Sequence, residues 1–494
     1  MKRRTFVRST LSAAVAVSLP GFRISWQDPP DVAAVTGDGK SVTLTGKQVA
    51  RLADRLRGRL LLAADDGYDE ARRILNPSFD KRPALVVQPT GTADVRAAVE
   101  FAHEHRLLVA VKCGGHSLSG QSTCDRGLLI DLSTFRGVRV DPSARRAWVA
   151  GGTLLGQVDH EAMAHGLVTP LGTVSHTGVG GLTLGGGFGR VARRFGLAID
   201  NLAAVEIVTA DGRIRRASPD EHDDLYWGVR GGGGNFGVVT SFEFQLHPMQ
   251  REVLGGEIAF PFARARDVLE VFAEYGPQAP DNLAMDPFVV LPPGGADGVA
   301  GFGICYSGPA AGADRALAPI RALGTALNDG VKPIDYVALQ RSGDMSDPRA
   351  VSLYVKGGFV SDVPSGLIGT ILDGFEGHPA RTTQVFFQQC GGAIGRVAPE
   401  ATAFPHRSAR GNMLALVGWK FGDDPAEHVR WIRQYYERLD PFTRGFYVND
   451  ADPNASDAAL NANYLGNYPR MAAVKTTYDP TNLFRLNPNV KPTG

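Results

Sequence analysis

Apolar and polar positions in the stretch from Pro83 to Gly115, PALVVQPTGTADVRAAVEFAHEHRLLVAVKCGG, set the pattern for the first half of the chain. A short apolar run at Val86 and Val87, closed by Pro89, reads as a strand. Helical spacing then predicts a helix from Val95 to His105, which Thr92 or Asp94 could cap. Leu107 to Val111 reads as the next strand, and LLIDLSTFRGVRVD and RAWVAGGTLLGQV continue as strands broken by turn residues. Upstream, residues 23 to 45 are polar and irregular and read as a linker, and helical periodicity follows Lys47. LAAVEIVTADG reads as a strand and hairpin, and VVTSFEF as a strand. This mixed pattern holds to about His247. From Pro248 to about residue 435, amphipathic helices alternate with strand-like runs such as MDPFVVL and GNMLALVGW, which marks a second domain. A last helix is expected from Pro469 to Tyr478, since proline opens a helix at no hydrogen-bonding cost.

Composition supports a folded chain. The 494 residues are 43% hydrophobic and 21% charged, enough for a large core. The net charge of +1 gives no draw toward nucleic acid or an anionic membrane. The start, MKRRTFVRSTLSAAVAVSLPGF, joins a basic end to an apolar stretch from about Leu11 to Leu19, too short to span a bilayer. Arg3-Arg4 followed by Thr5 and Phe6 resembles a twin-arginine export signal, so residues 1–35 are expected to be a leader and linker. The mature chain is then expected outside the cytoplasm, periplasmic or extracellular, with no membrane span. The four cysteines, Cys113, Cys124, Cys305 and Cys390, are too few for a disulfide scaffold. Cys113 and Cys124 flank one glycine turn and could pair or stay as free thiols. No C-x-x-C or H-E-x-x-H spacing argues for a metal.

Chemistry concentrates in three glycine-rich stretches: VKCGGHSLSG, GTVSHTGVGGLTLGGGFGRVARRFGLAIDNL and VRGGGGNFGVVTSFEF. Glycine lets backbone come close to a ligand, and consecutive N–H groups can hold an anion without a lysine. Gly232, Gly234 and Gly237 fit G-x-G-x-x-G, but they precede a strand rather than a helix, so the dinucleotide fingerprint is rejected. His116, after Gly114-Gly115, is either a turn imidazole or a cofactor contact.

These stretches, with PALVVQPTGTADVRAAVEFA, GLLIDLS, TAFPHR and YDPTNLFRLNPNV, stand in an order that resembles the berberine-bridge-enzyme-like, 6-hydroxy-D-nicotine-oxidase-like flavoproteins of the vanillyl-alcohol-oxidase superfamily. The resemblance covers about residues 45 to 494. It implies an α+β fold: a two-subdomain p-cresol-methylhydroxylase-type FAD-binding module over residues 45–247, then a substrate domain with an antiparallel sheet and flanking helices over 248–435. Residues 436–494 return to the FAD module. It further implies that His116 is bonded to the flavin 8α-methyl group. Lys112, Cys113, Gly114, Gly115 and Ser117 would wrap the pyrophosphate, with Thr173, Gly178, Gly180 and Gly181 lining a second cofactor segment. Val238 and Val239 would meet the adenine end, and Asn487 would close over the flavin.

Departures from the family pattern sharpen the expectation. Many relatives attach the flavin a second time through the cysteine of GTCP; here the text is GTVS, and Val174 cannot form a thioether, so FAD linked through His116 alone is expected. Leu182 follows Gly180-Gly181 where many relatives have histidine, and Thr177 stands where relatives control oxygen access. The implied reaction is hydride removal from an alcohol, sugar or amine C–H, with oxygen as acceptor and a base taking the hydroxyl proton. The alternatives are a dehydrogenase with another acceptor and an inert flavin-holding protein. The relatives' Y-x-N-Y reads Tyr447-Val448-Asn449-Asp450 here, making Tyr447 and Asp450 both candidate bases. Met413 to Val417 is wholly apolar, leaving the usual polar position empty. Gln388 and Gln389 fall on opposite strand faces, so one can point at the pocket. His406 and Arg407 read as structural.

Overall fold

A computed structural model describes residues 29–295, 297–345, 349–452 and 455–493. The export signal read at Arg3-Arg4 and Leu11 to Leu19 lies outside the described residues. No helix among the described residues is long and apolar enough to cross a membrane.

Three sheets carry the architecture, in the α+β class expected. A four-stranded sheet runs in the order Arg59–Leu61, Leu85–Gln88, Leu128–Asp131, Val109–Lys112, the last three parallel. Its strands are short continuous apolar runs because both faces are covered. Leu85 and Val87 pack with Val95 and Val99 of helix Thr92–Glu104, while Val86 faces Tyr68 and Leu129. That helix begins earlier than its periodicity suggested. Gly91 takes the cap position without a side-chain bond. Asp94 instead accepts N–H groups of Arg57 (2.8 Å), Gly58 (3.0 Å) and Thr90 (2.8 Å), tying the preceding segment to the first turn.

The second sheet is antiparallel, ordered Ile214–Ala217, Leu202–Thr209, Gly237–Gln245, Arg146–Ala150, Val138–Asp141. Gly237–Gln245 is a strand after the glycine run, as the rejection of a dinucleotide fingerprint required. The third sheet is large and antiparallel, with Leu283–Leu291, Arg381–Gln389, Gly411–Lys420 and Val351–Val360 adjacent in that order. Helices Ala265–Tyr275, Ser365–Leu372 and Ala426–Leu439 bury one of its faces through Leu269, Phe272, Ile368, Ile371, Ile432 and Tyr435.

Two sequence readings need correction. Within the expected linker, Val32–Val35 and Ser41–Leu44 pair as a hairpin that buries Ala34 and Leu44 in the core of the four-stranded sheet. The helical run after Lys47 is interrupted. Gly46–Asp54 ends before the strand Arg59–Leu61, and Tyr68–Arg72 forms a separate short helix. Edge pairing of Leu60 with Val87 outweighs local helix propensity there. The final helix, Tyr468–Tyr478, starts one residue before Pro469.

Buried cations lock the pieces that shape the central cavity. Arg193 donates to the carbonyls of Ala279, Leu283 and Cys390 at 2.7, 3.0 and 2.6 Å, fastening the glycine-rich segment to the large sheet. Arg407 makes a two-pronged pair with Asp200, both bonds 2.8 Å. Lys475, fully buried, donates to Asp479 (2.7 Å) and to the carbonyls of Asn235 and Phe484 (2.8 Å each). Asp479 in turn accepts the N–H groups of Leu483 and Phe484, so the C-terminal segment is folded back onto the glycine run.

Candidate active site

A cavity of about 420 Å³ opens where the three sheets meet. One part is lined by glycine backbone and the other by side chains of the large sheet.

At the glycine part, the two cofactor loops touch backbone to backbone. A Cβ on Gly114 would lie 2.4 Å from the Gly178 nitrogen, and one on Gly178 would lie 2.3 Å from the Gly114 nitrogen, so neither position admits a larger residue. Gly115 adopts φ +69°, turning the chain so that His116 faces the cavity. Gly181 and Gly233 border the cavity with no atom within 4 Å of where a Cβ would stand, leaving bare backbone open to a ligand. Of the residues expected to hold cofactor, Cys113, Gly114, Gly115, His116, Ser117, Thr173, Gly178, Gly180, Gly181, Val238, Val239 and Asn487 all line this one cavity. Val238 and Val239 also pack into two different hydrophobic cores, so packing and site roles coexist there.

Lys112 does not line it. Its side chain is buried, paired with Asp131 at 3.3 Å and donating to the Ala71 carbonyl, and its backbone is committed to the strand opposite Asp131. Lys112 therefore braces the sheet beneath the loop. Cys113 and Cys124 are both free thiols, and burial pushes the Cys113 thiol up to about 11, which makes it a poor nucleophile.

The imidazole of His116 is one of the cavity-lining polar groups, with Ser122 and Asn487, that leave a buried side-chain atom without a partner among the described residues. Its Nε2 is buried and unbonded among the described residues. Burial, together with the neighbouring His176, pushes its pKa down to about 4, so the ring is neutral near pH 7. A buried polar nitrogen facing open space is costly unless something occupies that space. An adenine dinucleotide flavin fits these residues: bare amide backbone for the diphosphate, apolar strands for the adenine, and a neutral imidazole at the ring edge.

At the other part, the strand Arg381–Gln389 alternates as its register requires. Val385, Phe387 and Gln389 face the helices or core, and Phe386 and Gln388 face the cavity. Gln389 is spent on the Met285 N–H and the Gly276 carbonyl, so Gln388 is the glutamine that reaches the site. Leu414, cross-strand partner of Phe386, forms the rest of the wall.

Tyr447 and Asp450 both border the cavity, but in different electrostatic states. The Tyr447 hydroxyl accepts the Gly187 N–H (2.9 Å) and the Asn449 amide (2.8 Å). Burial raises its pKa strongly. A phenol held this way is a fixed strut for the glycine loop and a weak base. Asp450 is half-buried, and burial pushes its carboxyl up to about 7. Its Oδ2 accepts the Asn412 amide at 3.3 Å, and that same amide donates to Gln388 Oε1 at 2.9 Å. Asn412 and Gln388 are cross-strand partners, so the sheet register fixes the bracket that holds the carboxylate. Sequence reasoning missed Asn412, because its position next to Asp450 comes from a contact 38 residues away in the chain. His406 stacks on Phe359, 4.3 Å between ring centres, and has the structural role expected of it.

Comparison with known proteins bears directly on this arrangement. The family model described as FAD binding domain matches residues 83–218, and that described as Berberine and berberine like matches residues 446–491. The chain is 30% identical over 456 residues to (R)-6-hydroxynicotine oxidase of Paenarthrobacter nicotinovorans, covering 89% of this chain and 98% of that one.

The chain belongs to the berberine-bridge-like FAD-linked oxidoreductases.

An uncharacterized FAD-linked oxidoreductase of Bacillus subtilis (strain 168) is 32% identical over 448 residues, 89% of this chain and 98% of that relative. The crystal structure of 6-hydroxy-D-nicotine oxidase from Arthrobacter nicotinovorans superposes with a TM-score of 0.81 at 28% identity, covering 89% of this chain and 98% of that one. In this FAD-linked oxidoreductase, one part of the cavity is lined by glycine backbone and the other by side chains of the large sheet.

Proposed function

We propose that this FAD-linked oxidoreductase is an oxidase that takes a hydride from a C–H bond beside a hydroxyl or amine of a small molecule, with Asp450 as proton acceptor and dioxygen as electron acceptor. The FAD, when bound, supplies the hydride acceptor. His116 would carry it through a single covalent bond, since Val174 borders the cavity where a second, cysteine attachment would be needed. The loops at Gly114, Gly178 and Gly233 would hold the diphosphate with backbone amides, and Asn487 would close that side. On the substrate side, Phe386 and Leu414 press an apolar molecule into place and exclude water. Gln388 offers its amide to a hydroxyl or amine.

The observation that carries this reading is Asp450. It is the one carboxylate among the described residues lining the cavity, and its pKa near 7 suits it to accept a proton at neutral pH. Thr177 lines the cavity with a small side chain, which favours access by oxygen. Export through the leader read at residues 1–35 belongs to the same proposal, since a covalent flavin survives dilution outside the cell.

A screen of alcohols, sugars and amines followed through peroxide release tests the proposal. Bleaching of the yellow protein by substrate under nitrogen, with colour returning in air, is the expected result. Bleaching that persists in air would favour the dehydrogenase reading. No bleaching by any amine, alcohol or sugar would favour an inert flavin holder.

A further inference from the structure

Beside His116 stands a second imidazole. The rings of His116 and His176 lie 5.1 Å apart at 35°. The Nε2 of each is buried with no hydrogen-bond partner among the described residues. His176 is itself half-buried and does not line the cavity. The loop that carries it is pinned on both sides. Ser175 donates its N–H and hydroxyl to the two carboxylate oxygens of Asp344, at 2.8 and 2.5 Å. The carbonyls of Ser175 and Thr177 accept the N–H groups of Gly156 and Leu155, both at 2.9 Å. Two imidazoles held against one another by a rigid loop, each with an unpartnered Nε2, are not explained by packing, because each of those nitrogens would be better solvated elsewhere.

We propose that His176 is the proton acceptor for covalent attachment of the flavin to His116. The inference rests on the reading that His116 carries FAD. A neutral imidazole that forms a bond at one nitrogen becomes a cation unless the proton on its other nitrogen departs. At a buried site that cation is expensive, so a base beside the ring lowers the barrier. Of the other groups nearby, Cys113 is a neutral thiol, Lys112 is engaged by Asp131, and both carboxylate oxygens of Asp344 already accept from Ser175. His176 accepts the imidazole proton, directly or through one water. The Asp344 carboxylate, held against the same loop by Ser175, offsets the charge that His176 then carries. In the overall step a C–H bond of the flavin 8α-methyl group and the N–H bond of His116 break, and a C–N bond forms. The two electrons and two protons released pass to dioxygen, giving hydrogen peroxide.

The test uses the full-length chain purified with bound FAD. Intact mass spectrometry reads the fraction of chains that carry the added mass of FAD, and absorbance reads total bound FAD. In the wild-type protein attachment is expected to be complete. His176→Ala and His176→Gln are expected to bind FAD but to attach it roughly 100-fold more slowly, the scale of a lost general base. In air, added imidazole then restores attachment in His176→Ala, whose vacated space admits it, and not in His176→Gln. Wild-type attachment rates in both variants overturn the proposal. So does a loss of attachment that merely tracks loss of bound FAD and shows no response to imidazole, which is the signature of a structural role. If the wild-type protein itself releases all its flavin in acid, the linkage to His116 fails and takes this inference with it. If wild type is covalently loaded and both His176 variants load equally fast, the linkage stands and His176 alone is excluded.

Discussion

The two parts of the cavity are built in opposite ways. The proposed flavin side is backbone: Gly114, Gly178, Gly181 and Gly233 leave no side chain to vary, and two loops meet so tightly that a methyl group would collide. The substrate side is side chains standing on the alternate positions of two paired strands, Phe386 and Gln388 against Leu414 and Asn412. Backbone recognition suits a ligand whose shape never changes. A sheet face can change its side chains one by one without disturbing the opposite face, which is packed against helices. Under the proposed function, family membership speaks mainly to the first side and substrate choice to the second.

Substitutions on either side put this contrast at risk. The largest effect is expected for His116→Ala, which removes the only proposed attachment. All flavin should then appear in the supernatant after acid precipitation, whereas the wild-type precipitate stays yellow. Next comes Asp450→Asn, which keeps the shape and the Asn412 contact but cannot take a proton. Turnover of any substrate found by peroxide release should fall by about 100-fold or more, while bound FAD is unchanged. For the unaltered protein, the same carboxylate predicts that turnover falls as pH drops below about 7, where Asp450 becomes protonated.

Lys475→Met probes the clamp on which the flavin side depends. It leaves Asp479 buried and unpaired, so a loss of about 3–5 kcal/mol in denaturant unfolding is expected, with weakened FAD retention. Tyr447→Phe orphans the Gly187 N–H, leaves the Asn449 amide only its 3.4 Å bond to the Leu182 carbonyl, and should cost about 1–3 kcal/mol of stability. Turnover should change far less than in Asp450→Asn, and an equal or larger loss would return the base role to Tyr447.

The smallest effect on flavin binding or turnover is expected at Asp159, which does not line the cavity and is buried where the helix Leu155–Met163 meets the helix Tyr336–Arg341, with the Gln340 amide donating to it at 3.2 Å. Burial pushes its carboxyl up to about 7, above the unfolded value of 3.8. The folded state thus holds this proton more tightly than the unfolded chain, so stability falls as pH rises between those values. Asp159→Asn removes that penalty. It should raise the melting temperature at pH 8 and leave it nearly unchanged at pH 4.

The glycine loops that line one part of the cavity were legible in the chain. Glycine runs, a histidine after two glycines, and the missing cysteine at Val174 are local text, and local text survives folding. The opening hairpin was not legible, because strands of four residues carry too little alternation to stand out from a linker. The helical run before Leu75 misled for a related reason: pairing with a distant strand decided its conformation.

What the sequence determined by itself was the family, the α+β class and the position of the proposed attachment, since each depends on residue types at fixed short spacings. Only the tertiary structure buried Lys112 beneath the loop, gave Asp450 and Tyr447 different surroundings, and stood His176 against His116. Those outcomes turn on burial and on contacts between residues far apart in the chain. A carboxyl, a phenol and an imidazole acquire their proton affinities from what surrounds them in space.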